Sequence, residues 1–244
     1  MMAKDLMKWW GASGKPYRTI SGVPPLMFIA NGQPLKYWSI SGNSGGVGDR
    51  TKNLLIEEYI QGNAISTSII RVKNKTSIPV YAGENYTVAF NTDVYNVALA
   101  SSPTANYPFA VDTLTHCGQS TAWLNSTYTF NCTNDGFICV QIRKKDNTNI
   151  VPSDVDSKIQ FEKGSNATAY EPYGYRIPVT CGGTTTNIYL NAPLGEGETV
   201  TLAETGIEIP TLDGTNILSI GTTVQPSEVY IKGRIKEVRE CESE

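Results

Sequence analysis

The sequence predicts an all-β protein, and three observations predict it. Glycine and proline number 22 and 13 among 244 residues, and with abundant Thr, Asn, Ser and Tyr they divide the chain into many short extended elements. Apolar and polar residues alternate with the period of two that a half-buried strand requires, as in Tyr86, Val88 and Phe90 or Ile138, Val140 and Ile142. Hydrophobic residues make up 40% of the chain and charged ones 18%, which is core material for two small β domains and an extra segment. The expected architecture is an N-terminal extended and hairpin segment (residues 1–52), a central jelly-roll-like β-sandwich (53–175) and a small C-terminal β domain (176–244).

Taken in order, Met2, Leu6, Trp9 and Trp10 stand at helical spacing before Gly11 and Gly14. A turn or helix so short is unstable alone, so Leu6, Trp9 and Trp10 are candidate assembly contacts, docking on this protein's core or on a sister subunit. Residues 26–30 and 37–40 read as two strands joined at Asn31-Gly32, a pair suited to the positive φ of a hairpin turn. The glycine run from Gly42 to Gly48 lacks the Gly-Lys-Ser/Thr ending of a phosphate loop, and Asp49 would repel a phosphate. It reads instead as a flexible connector.

Further strands are expected at 86–90, after the turn Ala82-Gly83-Glu84-Asn85, and at 94–98, 126–130 and 137–142, the last entered through a hairpin turn at Asn134-Asp135-Gly136. In the final strand of the sandwich, Ile159 and Phe161 face one way and Lys158, Gln160 and Glu162 the other. Tyr170, Pro172 and Tyr173 follow as a stiff exit turn that fixes domain orientation. Beyond Tyr175 the candidate strands are 187–190, 199–202, 206–209, 217–220 and 229–231.

Three stretches carry a resemblance. Ile159-Gln-Phe-Glu-Lys-Gly-Ser-Asn-Ala-Thr-Ala-Tyr-Glu-Pro-Tyr173 is similar to the ending of a carbohydrate-binding-module-like sandwich that recurs in minor tail and baseplate proteins of phages. The segment from Ser21-Gly-Val-Pro-Pro to Gly46-Val-Gly-Asp49, leading into Thr51-Lys-Asn-Leu54, resembles the opening of such proteins. The run from Ile209-Pro-Thr-Leu to Val224-Gln-Pro-Ser resembles their ending. The resemblance implies a non-enzymatic structural or adhesive part of a phage tail tip or baseplate. It would be made in the host bacterial cytoplasm and located in the virion. Its partners would be sister subunits, a trimer as the first expectation, with other tail or baseplate proteins and a bacterial surface polysaccharide.

Charge narrows the field independently. A net charge of −3 and a pI near 5.3 oppose general nucleic-acid binding, which needs a basic face, and Arg143-Lys144-Lys145 reads as a solvated strand end. No stretch approaches the roughly 18 to 20 apolar residues of a membrane-spanning helix, and no secretory signal is legible. Cys117, Cys132, Cys139, Cys181 and Cys241 lack metal spacing and are expected to stay reduced, with Cys132 and Cys139 facing each other across a hairpin as the one pairing to consider. Five Asn-x-Ser/Thr sequons, at Asn74, Asn85, Asn125, Asn131 and Asn166, read as strand surfaces and turns.

No cofactor or metal is expected. His116 beside Cys117 suggests a thiol-imidazole pair, but adjacent strand residues point to opposite faces. Glu57-Glu58, or Asp154 with Asp156, would serve glycoside hydrolysis only if held about 5 to 10 Å apart across a cleft, and the two aspartates lack the repeat of a calcium loop. This leaves a depolymerase-like enzyme or accessory module as the alternative. For glycan binding, aromatic rings give flat platforms and amides take hydroxyls. Trp123, Tyr107, Phe109, Tyr95 and Asn96 are the candidates, Trp123 first because it lies outside any apolar run.

Overall fold

The computed structural model describes residues 17–18, 26–30, 37–155, 158–181, 184–201, 217–222, 228–232 and 235–240. Leu6, Trp9, Trp10, the Asn31-Gly32 turn, Asp156, Cys241 and the candidate strand 206–209 lie outside the described residues. The architecture is all-β: multiple antiparallel sheets and, among the described residues, no helix of seven residues or more. Two compact units divide the chain, one formed by Met1–Arg50 with Gly174–Glu244, the other by Thr51–Tyr173.

The first unit begins with β1 (Tyr17–Arg18), β2 (Leu26–Ala30), β3 (Tyr37–Ser41) and β4 (Asp49–Arg50). The second contains β5 (Tyr59–Gln61), β6 (Val72–Asn74), β7 (Ile78–Val80), β8 (Asn85–Ala89), β9 (Tyr95–Ser102), β10 (Tyr128–Asn131), β11 (Gly136–Lys144) and β12 (Gln160–Lys163). The chain then returns to the first unit with β13 (Tyr175–Cys181), β14 (Thr184–Leu190), β15 (Thr199–Thr201), β16 (Ile217–Ile220), β17 (Glu228–Lys232) and β18 (Ile235–Glu240).

In the first unit the expected hairpin and the expected separation of residues 1–52 from 176–244 both give way. β2 pairs with β16 and β18, whereas β3 pairs with β15 and β17 in another sheet. The two N-terminal strands therefore find their hydrogen-bond partners more than a hundred residues away, and the chain ends share sheets. The glycine run is ordered as well. Gly42 and Asn43 bridge Glu196 and Gly195, and Val47 exchanges hydrogen bonds of 2.9 Å with Leu194. A Cβ on Gly42 would overlap the carbonyl oxygens of Leu194 and Gly195, so glycine serves close backbone approach here rather than flexibility.

The second unit is a two-sheet sandwich. One sheet has the order β10-β8-β12. In the other, β11 pairs along its whole length with β9, from Phe137↔Ser102 to Lys144↔Tyr95. Its opposite edge is shared by β7 at one end and β6 at the other, with β5 outside β6. Both sheets contribute to one core: Val88, Tyr86, Phe130, Ile159 and Phe161 from the first, Val72, Ile78, Val97, Leu99, Ile138, Val140 and Ile142 from the second. The Tyr86 ring lies 5.6 Å from Phe161 and 5.9 Å from Phe130, one aromatic from each strand of the smaller sheet. Asn134-Asp135-Gly136 is not a hairpin turn, because it carries the chain from β10 in one sheet to β11 in the other.

On the polar face of the final strand Lys158 is exposed, but Gln160 and Glu162 are not. Gln160 and Glu162 are each 1% exposed. The Glu162 carboxylate accepts from the Thr168 N–H and hydroxyl, both at 2.7 Å, and from Gln160 Nε2 at 2.8 Å. Gln160 Oε1 accepts from the Glu171 N–H at 2.7 Å, and Glu171 Oε2 from the Lys52 N–H at 2.9 Å. Asn53 completes this clasp, accepting from the Leu55 and Phe161 N–H groups while its Nδ2 donates to the Ile159 carbonyl. The residues that carry the first resemblance thus fasten the last strand and its exit turn to the segment that enters the sandwich. Their chemistry is architectural.

Candidate ligand-binding face

Alternation along the larger sheet fixes which side chains leave the core. Val72, Val97 and Ile142 point inward, so Lys73, Asn96, Gln141 and Arg143 point to the outer face. Register aligns them: Arg143 stands opposite Asn96, and Gln141 lies between Ala98 and Lys73. Leu124 bridges Val97 at the free edge of β9 and packs against the core, which turns its neighbour Trp123 outward onto the same face.

There the Trp123 ring meets two cations. The Arg143 guanidinium carbon lies 4.2 Å from the ring centroid and that of Arg71 5.3 Å. Such contacts are favourable by about 0.5 to 2 kcal/mol according to exposure. The Arg143 pKa is held below the usual range by burial first and by the like charge of Arg71 second. Nε of both arginines and Oδ1 of Asn96 are buried without hydrogen-bond partners. Further along the face, Lys73 Nζ donates to the Asn63 carbonyl at 2.7 Å and sits 4.0 Å from the Tyr107 ring centroid. Burial lowers the Lys73 pKa and raises that of Tyr107, whose hydroxyl donates to Asn74 Oδ1 at 3.2 Å.

The five residues expected to bind glycan separate into two groups. Trp123, Tyr107 and Asn96 share this face and are half-buried. Tyr95 and Phe109, at 2% and 3% exposure, are core residues. The Tyr95 hydroxyl donates to the Asp154 carbonyl, and Phe109 packs with Ala64, Ala100 and Cys139. Neither offers a ring to a ligand. Sequence reasoning missed Arg71 and Lys73, because β6 is three residues long and lacks an apolar alternation, and Gln141, although the alternation of Val140 and Ile142 in β11 already turned it outward. It also misread Arg143 as solvated. The signal was Ile142, whose inward direction commits Arg143 to the patterned outer face rather than to a fraying end.

The other candidates resolve into structure. Cys117 and Cys132 lie in the main core, Cys139 in the small cluster with Phe109, and all three are free. Cys132 and Cys139 therefore do not face each other. Burial, reinforced by Cys132, pushes the Cys117 thiol up to about 12, far from a thiolate nucleophile at neutral pH. His116 Nε2 instead meets the Asp135 carbonyl at 3.0 Å. Asp154 is paired with Lys144 at 2.9 Å and Glu58 with Lys75 at 2.9 Å, while Glu57 accepts from the Tyr170 hydroxyl. Among the described residues no group of three or more His, Cys, Asp or Glu side chains is placed to hold a metal. The sequon at Asn74 is 0% exposed and its amide is occupied by the fold.

No family model, curated protein or solved structure matches the chain.

Proposed function

We propose that this chain is a non-enzymatic structural and adhesive component of a phage tail tip or baseplate, whose sandwich contacts the glycan of the host surface. One observation carries the adhesive part of the reading. An indole, a phenol ring and the amides of Gln141 and Asn96 share one sheet face with cationic side chains, the mixture of flat apolar and hydrogen-bonding groups that suits a sugar. The carboxylates that a hydrolytic reading would recruit, Glu57, Glu58 and Asp154, are engaged in local pairing. The tail context rests on the three resembling segments, and many weakly binding copies in one particle would attach strongly through avidity.

Two measurements test this. Labelled protein is expected to bind host cell walls, and Trp123→Ala to reduce that binding at least about tenfold while the far-ultraviolet spectrum stays unchanged. Light scattering at micromolar concentration is expected to show a homo-oligomer, with a trimer as the first expectation. A strict monomer that ignores cell walls sinks the proposal, and release of reducing sugar from the wall, abolished by one Asp or Glu substitution, replaces it with the depolymerase reading.

A further inference from the structure

The candidate face is positively charged, and its cations meet aromatic rings and a carbonyl rather than carboxylates. Arg71 and Arg143 converge on one indole although like charges repel. Among the described residues neither forms an ion pair with a carboxylate, unlike Lys75 with Glu58, Lys144 with Asp154 and Lys163 with Glu84. Both Nε–H groups are out of water without acceptors, and a buried donor left unsatisfied is destabilising. Lys73 adds a third cation on the same face, similarly without a carboxylate. A protein of net negative charge has thus placed two cations on a half-buried surface, beside a third, Lys73, that is only 6% exposed.

We infer that this face is a binding site for an anionic saccharide, with Arg71 and Arg143 receiving a carboxylate or phosphate group and Trp123 supporting the adjoining sugar ring. Guanidinium groups match planar and tetrahedral oxyanions by paired N–H donors. An anion between them would neutralise the repulsion and give the buried donors acceptors. The Asn96 carbonyl, itself unpartnered, accepts a hydroxyl donor beside the charged group. Lys73, 6% exposed and held by the Asn63 carbonyl and the Tyr107 ring, adds positive potential beneath the face but no exposed donor. The inference deepens the adhesive reading and rests on it, adding the chemical class of the ligand.

The test is titration of the full chain, followed by tryptophan fluorescence and calorimetry, with three probes of equal length: oligogalacturonate, oligo(glycerol phosphate) and neutral maltooligosaccharide. At least one anionic probe is expected to bind about tenfold or more tightly than the neutral one. Arg143→Gln and Arg71→Gln should each remove most of that preference, and raised sodium chloride should weaken it. The stronger anionic arm distinguishes carboxylate from phosphate recognition. Gln relieves the like-charge contact but gives up the cation–π contact with Trp123, so unfolding midpoints are measured for both variants, and binding lost at a temperature well below the midpoint reports on the site. Equal affinity for neutral and anionic probes, or an undiminished anionic preference in the double variant, overturns the inference and leaves the glycan-contact reading standing. Failure of every probe, together with failure to bind cell walls, removes both.

Discussion

Glu162 shows how a charged residue becomes structural. Its carboxylate is 1% exposed and answers three donors, from Gln160 and Thr168. Replacing it with alanine removes three hydrogen bonds to a charged acceptor and loosens Thr168 from the strand, so Glu162→Ala should cost about 2 kcal/mol in denaturant unfolding. Asn53→Ala, which strands two backbone N–H groups at 0% exposure, should cost about 2 to 3 kcal/mol. The buried thiols give a pH dependence with a definite sign. Burial raises Cys117 and Cys139 to about 12, whereas unfolded thiols titrate near ~8.5. Above that value the unfolded chain holds fewer protons than the folded one, so stability contributed by these groups is complete below pH ~8.5 and falls as pH rises towards 12. Unfolding midpoints measured at pH 7.5 and pH 10 should therefore decline, and less so in Cys117→Ala. None of this was legible in the sequence, where Gln160 and Glu162 alternate with Ile159 and Phe161 as solvent-facing residues do. Alternation reports which side of a strand a residue occupies, and is blind to whether a later segment such as 168–171 folds over that side.

At the scale of elements, the strands were more legible than their partners. β8, β10, β11 and β12 overlap the expected strands to within about two residues at each end, because each buries an apolar face in the sandwich core, whereas β9 runs on to Ser102, past the expected end at Ala98. β13 escaped notice since Pro178 reads as a strand breaker, yet Ile177 and Val179 are buried on either side of it. Pairing was misjudged at Asn31-Gly32 and at Asn134-Asp135-Gly136, where local turn chemistry suggests a hairpin and long-range pairing prevails instead. The glycine run teaches the same lesson. Its glycines look like a linker, and the closeness of residues 194–198 that demands them is invisible until the sheets assemble. Gly42→Ala should destabilise the first unit by about 2 kcal/mol, with amide hydrogen exchange accelerating first at 194–198 and 42–47. The candidate face was half legible: Trp123 stood out by its isolation, but Arg71, Lys73 and Arg143 converge only through the register of β6 and β11.

For the whole molecule, the central unit is an insertion within the other. All strands of the sandwich and both its clusters lie between Thr51 and Tyr173, so a fragment of residues 51–173 should fold cooperatively by itself. Residues 174–244 should not, because β14, β13 and β16 continue into β2, and β15 and β17 flank β3. Circular dichroism and limited proteolysis of the two fragments check this, and a folded, protease-resistant 174–244 fragment would contradict the shared sheets. The chain leaves the first unit after β4 and re-enters it at β13, and these strands pair directly, Arg50 with Tyr175 and Asp49 with Arg176. Exit and entry points are therefore a single strand spacing apart, about 5 Å. A socket with that geometry accepts any guest whose two ends lie close together. The sandwich should therefore be excisable, with the gap closed by a short glycine bridge, or exchangeable for another cassette, while the pairing of β2 with β16 and β18 and of β3 with β15 and β17 is kept.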